Sequence, residues 1–251
     1  MRYGFLQLLY NAATLLAAFF LCPFSFGQLN VAHVSGKVES ISDKESELLS
    51  INTVGSDSLL SYNDLICTAK GSRTEFSTGS DTVVRLGSMS VLSVLNDNSF
   101  ILHSGSMLLA NTEPKDIYLS SADSNATFSG SGTILIETTQ NGGFKFIPFE
   151  GRGFLKTESG ETHEVKGGRL VLVLNNPSRL GDAYDIDLML LIKTSRLINS
   201  FPEPLETFGR ISLAVYSQEL KLKGKYNALI GDAPTNDNLQ VWAFGERESE
   251  K

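Results

Sequence analysis

Between residues 31 and 176 the chain keeps one rhythm, in which short apolar runs are broken by turn residues every eight to twelve positions. Residues 82–86, 91–95, 100–102, 117–119, 126–128, 133–137, 144–149, 153–157 and 170–174 are such runs. Between them stand Gly79-Ser80-Asp81, Asn96-Asp97-Asn98, Asn141-Gly142-Gly143, Glu150-Gly151, Ser159-Gly160 and Gly167-Gly168. An amphipathic helix needs an apolar stripe sustained over about ten residues or more, and units this short cannot supply one. Short strands separated by turn signals can. The rhythm therefore restricts residues 28–176 to an all-β domain. A sandwich, a barrel and a solenoid all satisfy it, and no internal repeat is strict enough to single out the solenoid.

The first 27 residues have a different character. Arg2 is their only charge, an apolar run follows through Leu15-Leu16-Ala17-Ala18-Phe19-Phe20-Leu21, and Pro23 ends it. Ser25 and Gly27 are small residues at the positions a signal peptidase reads. The pattern predicts a secretory signal peptide over residues 1–27, cleaved after Gly27, with the product exported to the periplasm or beyond. Left uncut, the same run is long enough to act as a membrane anchor. No later stretch approaches the roughly 18–20 apolar residues of a membrane span, so the mature chain is expected to have none.

The net charge of −7 becomes one unit more negative when Arg2 is removed, and no run of Lys or Arg exists anywhere. Phosphate backbones are held by clustered positive charge, so nucleic acid is excluded as a partner. Of the two cysteines, Cys22 leaves with the signal. Cys67 alone cannot form an internal disulfide, and within Asp64-Leu65-Ile66-Cys67 it reads as a small buried hydrophobe.

After Asn175-Asn176-Pro177 the pattern turns helical, over residues 177–224. Asp182 or Asp185 is placed to cap a helix through Ile186, Met189, Leu190, Leu197 and Ile198, with Phe201-Pro202 as its stop. A second helix is expected over residues 205–222, carrying Phe208, Ile211, Leu213, Val215 and Leu220 and ended by Gly224. With Pro202 and Pro204 between them, the two read as a helical hairpin. Residues 225–251 form a polar tail with one apolar patch, residues 239–244. That patch reads as a final strand, or as a docking motif anchored by Trp242.

Catalytic and metal chemistry needs particular residues at particular spacings. His33, His103 and His163 are far apart in sequence and none has a second ligand nearby, so no metal or cofactor is expected. Neither a G-x-S-x-G elbow nor a G-K-[ST] loop occurs. Gly130-Ser131-Gly132 and Gly151-Arg152-Gly153 begin like a dinucleotide fingerprint, but Leu135 and Lys156 occupy the third glycine's place. Two acid pairs remain. Asp185-x-Asp187 stands at a helix start, where acids favour the macrodipole. Glu137 and Glu150 could serve glycoside cleavage if held about 5–10 Å apart. The balance points to a protein without catalytic residues.

The glycines of residues 128–153 have structural uses. Asn141-Gly142 suits a tight turn between strands at 133–138 and 144–149, and Gly130 and Gly132 leave one strand face bare for a close backbone approach. The same stretch carries a resemblance. Gly132-Thr133, a strand, a second strand ending in Glu150-Gly151, and then Val165-Lys166-Gly167-Gly168 resemble the end of the FecR-type domain. Upstream, Thr68-Ala69 with Ser72-Arg73-Thr74-Glu75-Phe76, then Val84-Arg85-Leu86-Gly87, then residues 102–108 resemble earlier elements in the same order, so that residues 60–174 are covered. The resemblance implies a FecR-like β domain, without catalytic residues, of a kind found in iron-uptake regulators behind a cytoplasmic anti-sigma segment. No such segment is expected ahead of the apolar run here. The expectation is a non-enzymatic binding or scaffold module in the bacterial cell envelope, with an envelope protein or glycan as partner. An accessory to transporter-linked envelope signalling and a polysaccharide hydrolase are the alternatives.

Overall fold

The computed structural model describes residues 28–43, 49–79, 82–175, 177–222, 228–232 and 239–243. The signal peptide and the Gly224 stop fall outside them. The protein is mainly β, a large open mixed sheet with a few helices near the C-terminus, and it is not a closed barrel.

Three long antiparallel strands form the spine: β10 (Ser106–Ser120), β11 (Asn125–Thr138) and β12 (Phe144–Lys156). At β10 the sheet forks. The first half of β10 pairs with β7 (Val83–Leu86), which leads through β6 (Arg73–Ser77) to β1 (Gln28–Ser35) and β4 (Leu59–Ser61). Its second half runs parallel to β9 (Ser99–Ser104), which leads through β8 (Val91–Asn96) and β5 (Leu65–Thr68) to β2 (Val38–Asp43) and β3 (Leu49–Thr53). Leu29, Phe76 and Val84 of one branch share a single core with Val38, Ile66, Leu92 and Phe100 of the other. The two branches thus face each other as the layers of a sandwich. A solenoid would stack parallel strands, whereas β9 with β10 is the one parallel pair among the described strands.

The fork requires the spine to bend, and the glycines supply the bend. Gly130 faces Gly153 and Gly132 faces Gly151 across β11 and β12. A Cβ on Gly130 would lie 2.1 Å from the Arg152 carbonyl oxygen, and one on Gly153 would lie 2.1 Å from that of Ser129. Only bare backbones approach this closely. Beside them the register of β10 slips between Asn111 and Lys115, and the Asn111 amide holds the slip by donating to Glu113 O at 2.8 Å and Gly130 O at 3.0 Å. Bulges and glycines are the usual means by which strands pass from one layer to another.

This corrects one expectation. The runs at 126–128 and 133–137 are a single strand, as are those at 144–149 and 153–157, and Glu150-Gly151 is a bend within β12 and not a turn. The turn at residues 139–143 is longer than a two-residue hairpin, and Gly142 (φ 85°) is its only left-handed residue.

The spine buries its second face too. Leu108, Ala110, Leu135, Ile147 and Phe149 alternate with residues of the sandwich core and pack under the C-terminal helices. Before those helices, β14 (Arg169–Leu174) pairs with a strand the sequence did not announce, β15 (Arg179–Asp185). The expected helix therefore starts late. Asp187, and not Asp182 or Asp185, is its N-cap, accepting from Leu190 N at 2.9 Å. It is also broken at Ser195 into α1 (Leu188–Thr194) and α2 (Arg196–Asn199). The second helix is α3 (Phe208–Leu222), which buries Ile211 and Val215 and leaves Leu213 and Leu220 exposed. The apolar tail patch pairs as β17 (Leu239–Ala243) with β16 (Ala228–Asp232), and only the backbone of Trp242 is described. No described helix is long and apolar enough to cross a membrane.

Candidate functional site

The acids singled out by sequence do not converge. Glu150 sits opposite Thr133 at a bulge where two residues, Phe149 and Glu150, face one. Its carboxylate accepts from the Thr133 hydroxyl at 2.9 Å, and that hydroxyl also lies 2.6 Å from the Thr207 hydroxyl just ahead of α3. Glu137 is buried and paired with Lys145, its cross-strand neighbour, at 3.1 Å. The two acids are four residues apart along β11, roughly 13 Å at strand spacing, beyond the range of a glycosidase pair. Asp185 is paired with Arg169 across β15 and β14 at 3.3 Å, while Asp187 caps α1.

The histidines lie on separate strands. The His33 ring meets Phe201 edge-on at 5.7 Å, and His103 shares a hydrogen bond with the Ser93 hydroxyl at 3.0 Å. No group of three metal-ligating side chains occurs among the described residues. Cys67 is half-buried on β5, and burial together with the charge of Glu39 pushes its thiol pKa up, away from reactivity.

One site that sequence reasoning missed ties the sheet to the helices. Arg85 on β7 is fully buried. It donates to Glu75 at 2.6 Å, to the carbonyls of Leu197 and Ile198 at 3.0 and 3.3 Å, and to that of Glu203 at 2.6 Å. Its guanidinium carbon stands 4.3 Å above the centre of the Phe201 ring. Burial lowers the guanidinium pKa, and the hydrogen bond and charge of Glu75 oppose that shift. Four of the five guanidinium N–H donors are thus spent on Glu75 and three backbone carbonyls, and Arg85 clamps the sheet to the helical segment.

The other missed site lies at the far end of the sandwich, where the branches stop. The edge strands β3 and β4 leave an open cleft of about 430 Å3 between them. Along β2 the inward face runs Val38, Ser40, Ser42, so the lining changes from apolar to hydroxyl as the core reaches the opening. Across β2 and β3, Ser40 pairs with Asn52. Leu60 and Tyr62 form the opposite wall, with Asp64 beside them. Ser40 is only 3% exposed. The Tyr62 hydroxyl donates to Asp97, and burial, with that bond and charge added, pushes the phenol pKa up to about 12. A second hollow, about 520 Å3, is lined by His163, Lys166 and Arg169 among others. There Lys166 is paired with Glu164 at 2.6 Å and Arg169 with Asp185, so its cations are engaged.

No protein-family model and no curated protein matches the sequence. Among solved structures, two crystal structures of a "putative anti-sigma factor" from Parabacteroides distasonis ATCC 8503 are similar. One has TM-score 0.41 and 10% identity over 51% of this chain and 62% of that one. The other has TM-score 0.40 and 8% identity over 72% of this chain and 99% of that one. The protein thus spans less than two thirds of the first of these relatives.

Proposed function

We propose that this protein is a non-enzymatic binding module of the bacterial cell envelope, exported by its N-terminal signal, and that the cleft between β3 and β4 holds its partner. The observation that carries this reading is the cleft itself, open between two edge strands, of ligand size, and lined by the hydroxyl and amide side chains of Ser40, Ser42 and Asn52. Small-molecule sites span about 300–1,000 Å3, a range that includes this cleft. The FecR-type resemblance over residues 60–174 supports an envelope role without supplying catalytic residues. Against a hydrolase stands the placement of Glu137 and Glu150, each engaged with structural neighbours and well separated. An accessory to transporter-linked signalling would use the same cleft with a protein as its partner.

The test is co-sedimentation of the purified protein with isolated envelope, comparing wild type with Ser42→Phe, which fills the mouth of the cleft from a half-buried position. Sedimentation of wild type and its loss in S42F, with melting temperature unchanged, is the expected result. Equal sedimentation of both would remove the cleft from the reading, and failure of wild type to sediment would remove the reading itself.

A further inference from the structure

We infer that the outward stripe of α3 is the interface of an antiparallel homodimer, with a second copy of this chain as its occupant. The cleft plays no part in it. Ile211 and Val215 of α3 are buried in the core shared with the sheet. Gln218 fixes the rotation of the helix, its amide accepting from Leu188 N at 2.8 Å and donating to Ile186 O at 2.6 Å. At 3.6 residues per turn, Leu213, Tyr216 and Leu220 then fall on the opposite side. They are 65%, 60% and 59% exposed. Apolar residues scattered singly on a surface are ordinary, whereas three in one line along one helix mark a contact surface.

The spacing of the line says what covers it. With Gly209, which is also exposed, the steps are four, three and four residues, the alternation of a seam along which two helices pack. The seam is its own complement. Laid end for end, Gly209 meets Leu220 of the second copy and Leu213 meets Tyr216 of the second copy, so each bare glycine receives a large side chain. A parallel pair would set glycine against glycine and leave a gap there. The flanks also permit the antiparallel pair. Arg210 lies on one side of the seam and Glu219 on the other. Laid end for end, Arg210 comes opposite Ser217 of the second copy and Glu219 opposite Ser212 of the second copy, so no like charges meet. The two helix dipoles then oppose each other, which favours the same orientation. A single helix pair is smaller than the roughly 800 Å2 per partner of a standard interface, so the dimer is a reversible one.

The experiment is sedimentation equilibrium of the full chain over about 1–100 µM, a range that spans the dissociation of a weak dimer. We expect wild type to dimerise, and Leu213→Lys with Leu220→Lys to weaken the dimer roughly tenfold or more with melting temperature unchanged. Dimerisation undiminished by these lysines would place the contact on another face and overturn the inference. Orientation is read by oxidising Gly209→Cys with Leu220→Cys, in a background of Cys22→Ser and Cys67→Ser. The two positions are about 16 Å apart along one helix, too far to bond within a chain, so their disulfide joins two copies. A covalent dimer from the double-cysteine variant, and none from Gly209→Cys alone, is the expected result. Cross-linking by Gly209→Cys alone would overturn the antiparallel pairing. A monomeric wild type overturns the inference altogether. In that case, loss of envelope co-sedimentation in the double-lysine variant assigns the stripe to another envelope component, and faster proteolysis of residues 223–251 in it assigns the stripe to the chain's own tail.

Discussion

Arg85 and Ser40 are both polar, both buried and both on strands of one sheet, yet they have opposite environments, Arg85 under the helices and Ser40 at the cleft. Arg85 spends its donors on Glu75 and three backbone carbonyls and lies against Phe201. Ser40 lines the open cleft, and among the described residues it has no such set of contacts holding it. The first arrangement is what a buried charge requires if it is to be tolerated at all. The second is a small neutral group at the lining of an open cleft, where its burial costs little. The contrast separates a residue that holds the architecture from one left available to a ligand, and burial alone would not have distinguished them.

The comparison predicts very different costs. Arg85→Met should cause the largest loss, about 3–5 kcal/mol, because it strands Glu75 and the Leu197 and Glu203 carbonyls without a donor. Urea denaturation measures it. Adding Glu75→Leu should restore part of the loss but not all, since the carbonyls stay unpaired. Complete recovery would mean that the clamp on the helices contributes nothing. Next comes Gly130→Ala at the bend. Its Cβ meets the Arg152 carbonyl oxygen, which cannot swing away as a side chain would, and overpacking of this kind costs about 1–3 kcal/mol. Ser40→Val, by contrast, removes one small hydroxyl from the lining of the cleft. It should change stability by less than about 1 kcal/mol, or raise it slightly, while impairing binding. A loss as large as that of R85M would show that Ser40 has a structural partner after all.

How much of this was legible follows from what each residue looks like locally. The strands were legible because their apolar runs are dense. Their continuity was not, because Gly130, Gly132, Gly151 and Gly153 give the same signal in a turn and in a bend, and only the facing of one pair by another tells which. β15, with the sequence RLGDAYD, has no alternation to read, since every residue in it is exposed or half-buried. Arg85 sits among Val83, Val84 and Leu86, where a lone arginine reads as the solvent side of a strand. The helical segment that covers this face of β7 lies more than a hundred residues away in sequence, where no local pattern can announce it. Ser40 was hidden by phase. In Val38-Glu39-Ser40-Ile41-Ser42, either parity offers one apolar residue, and the register with β5, Val38 opposite Thr68 and Ser40 opposite Ile66, makes the serine face the inward one.

The smallest predicted effect concerns the wall of the cleft and depends on pH. In the folded chain the Tyr62 phenol is held protonated by burial and by its bond to Asp97, with a pKa of about 12 against an ordinary value of 10.0. Below pH 10 both folded and unfolded chains carry the proton, and the contribution is complete. Above pH 10 the unfolded chain releases the proton while the folded one keeps it, so stability falls with rising pH until the folded group ionises as well. Wild type should therefore lose stability between pH 10 and 12 more steeply than Tyr62→Phe, with the difference near constant below pH 9. Paired urea titrations of the two proteins cancel the other groups that ionise in this range. Equal slopes would mean that Tyr62 is free to turn, and a ring that turns would be a poor wall for a ligand. The pH profile thus tests the rigidity of the cleft without any ligand in hand.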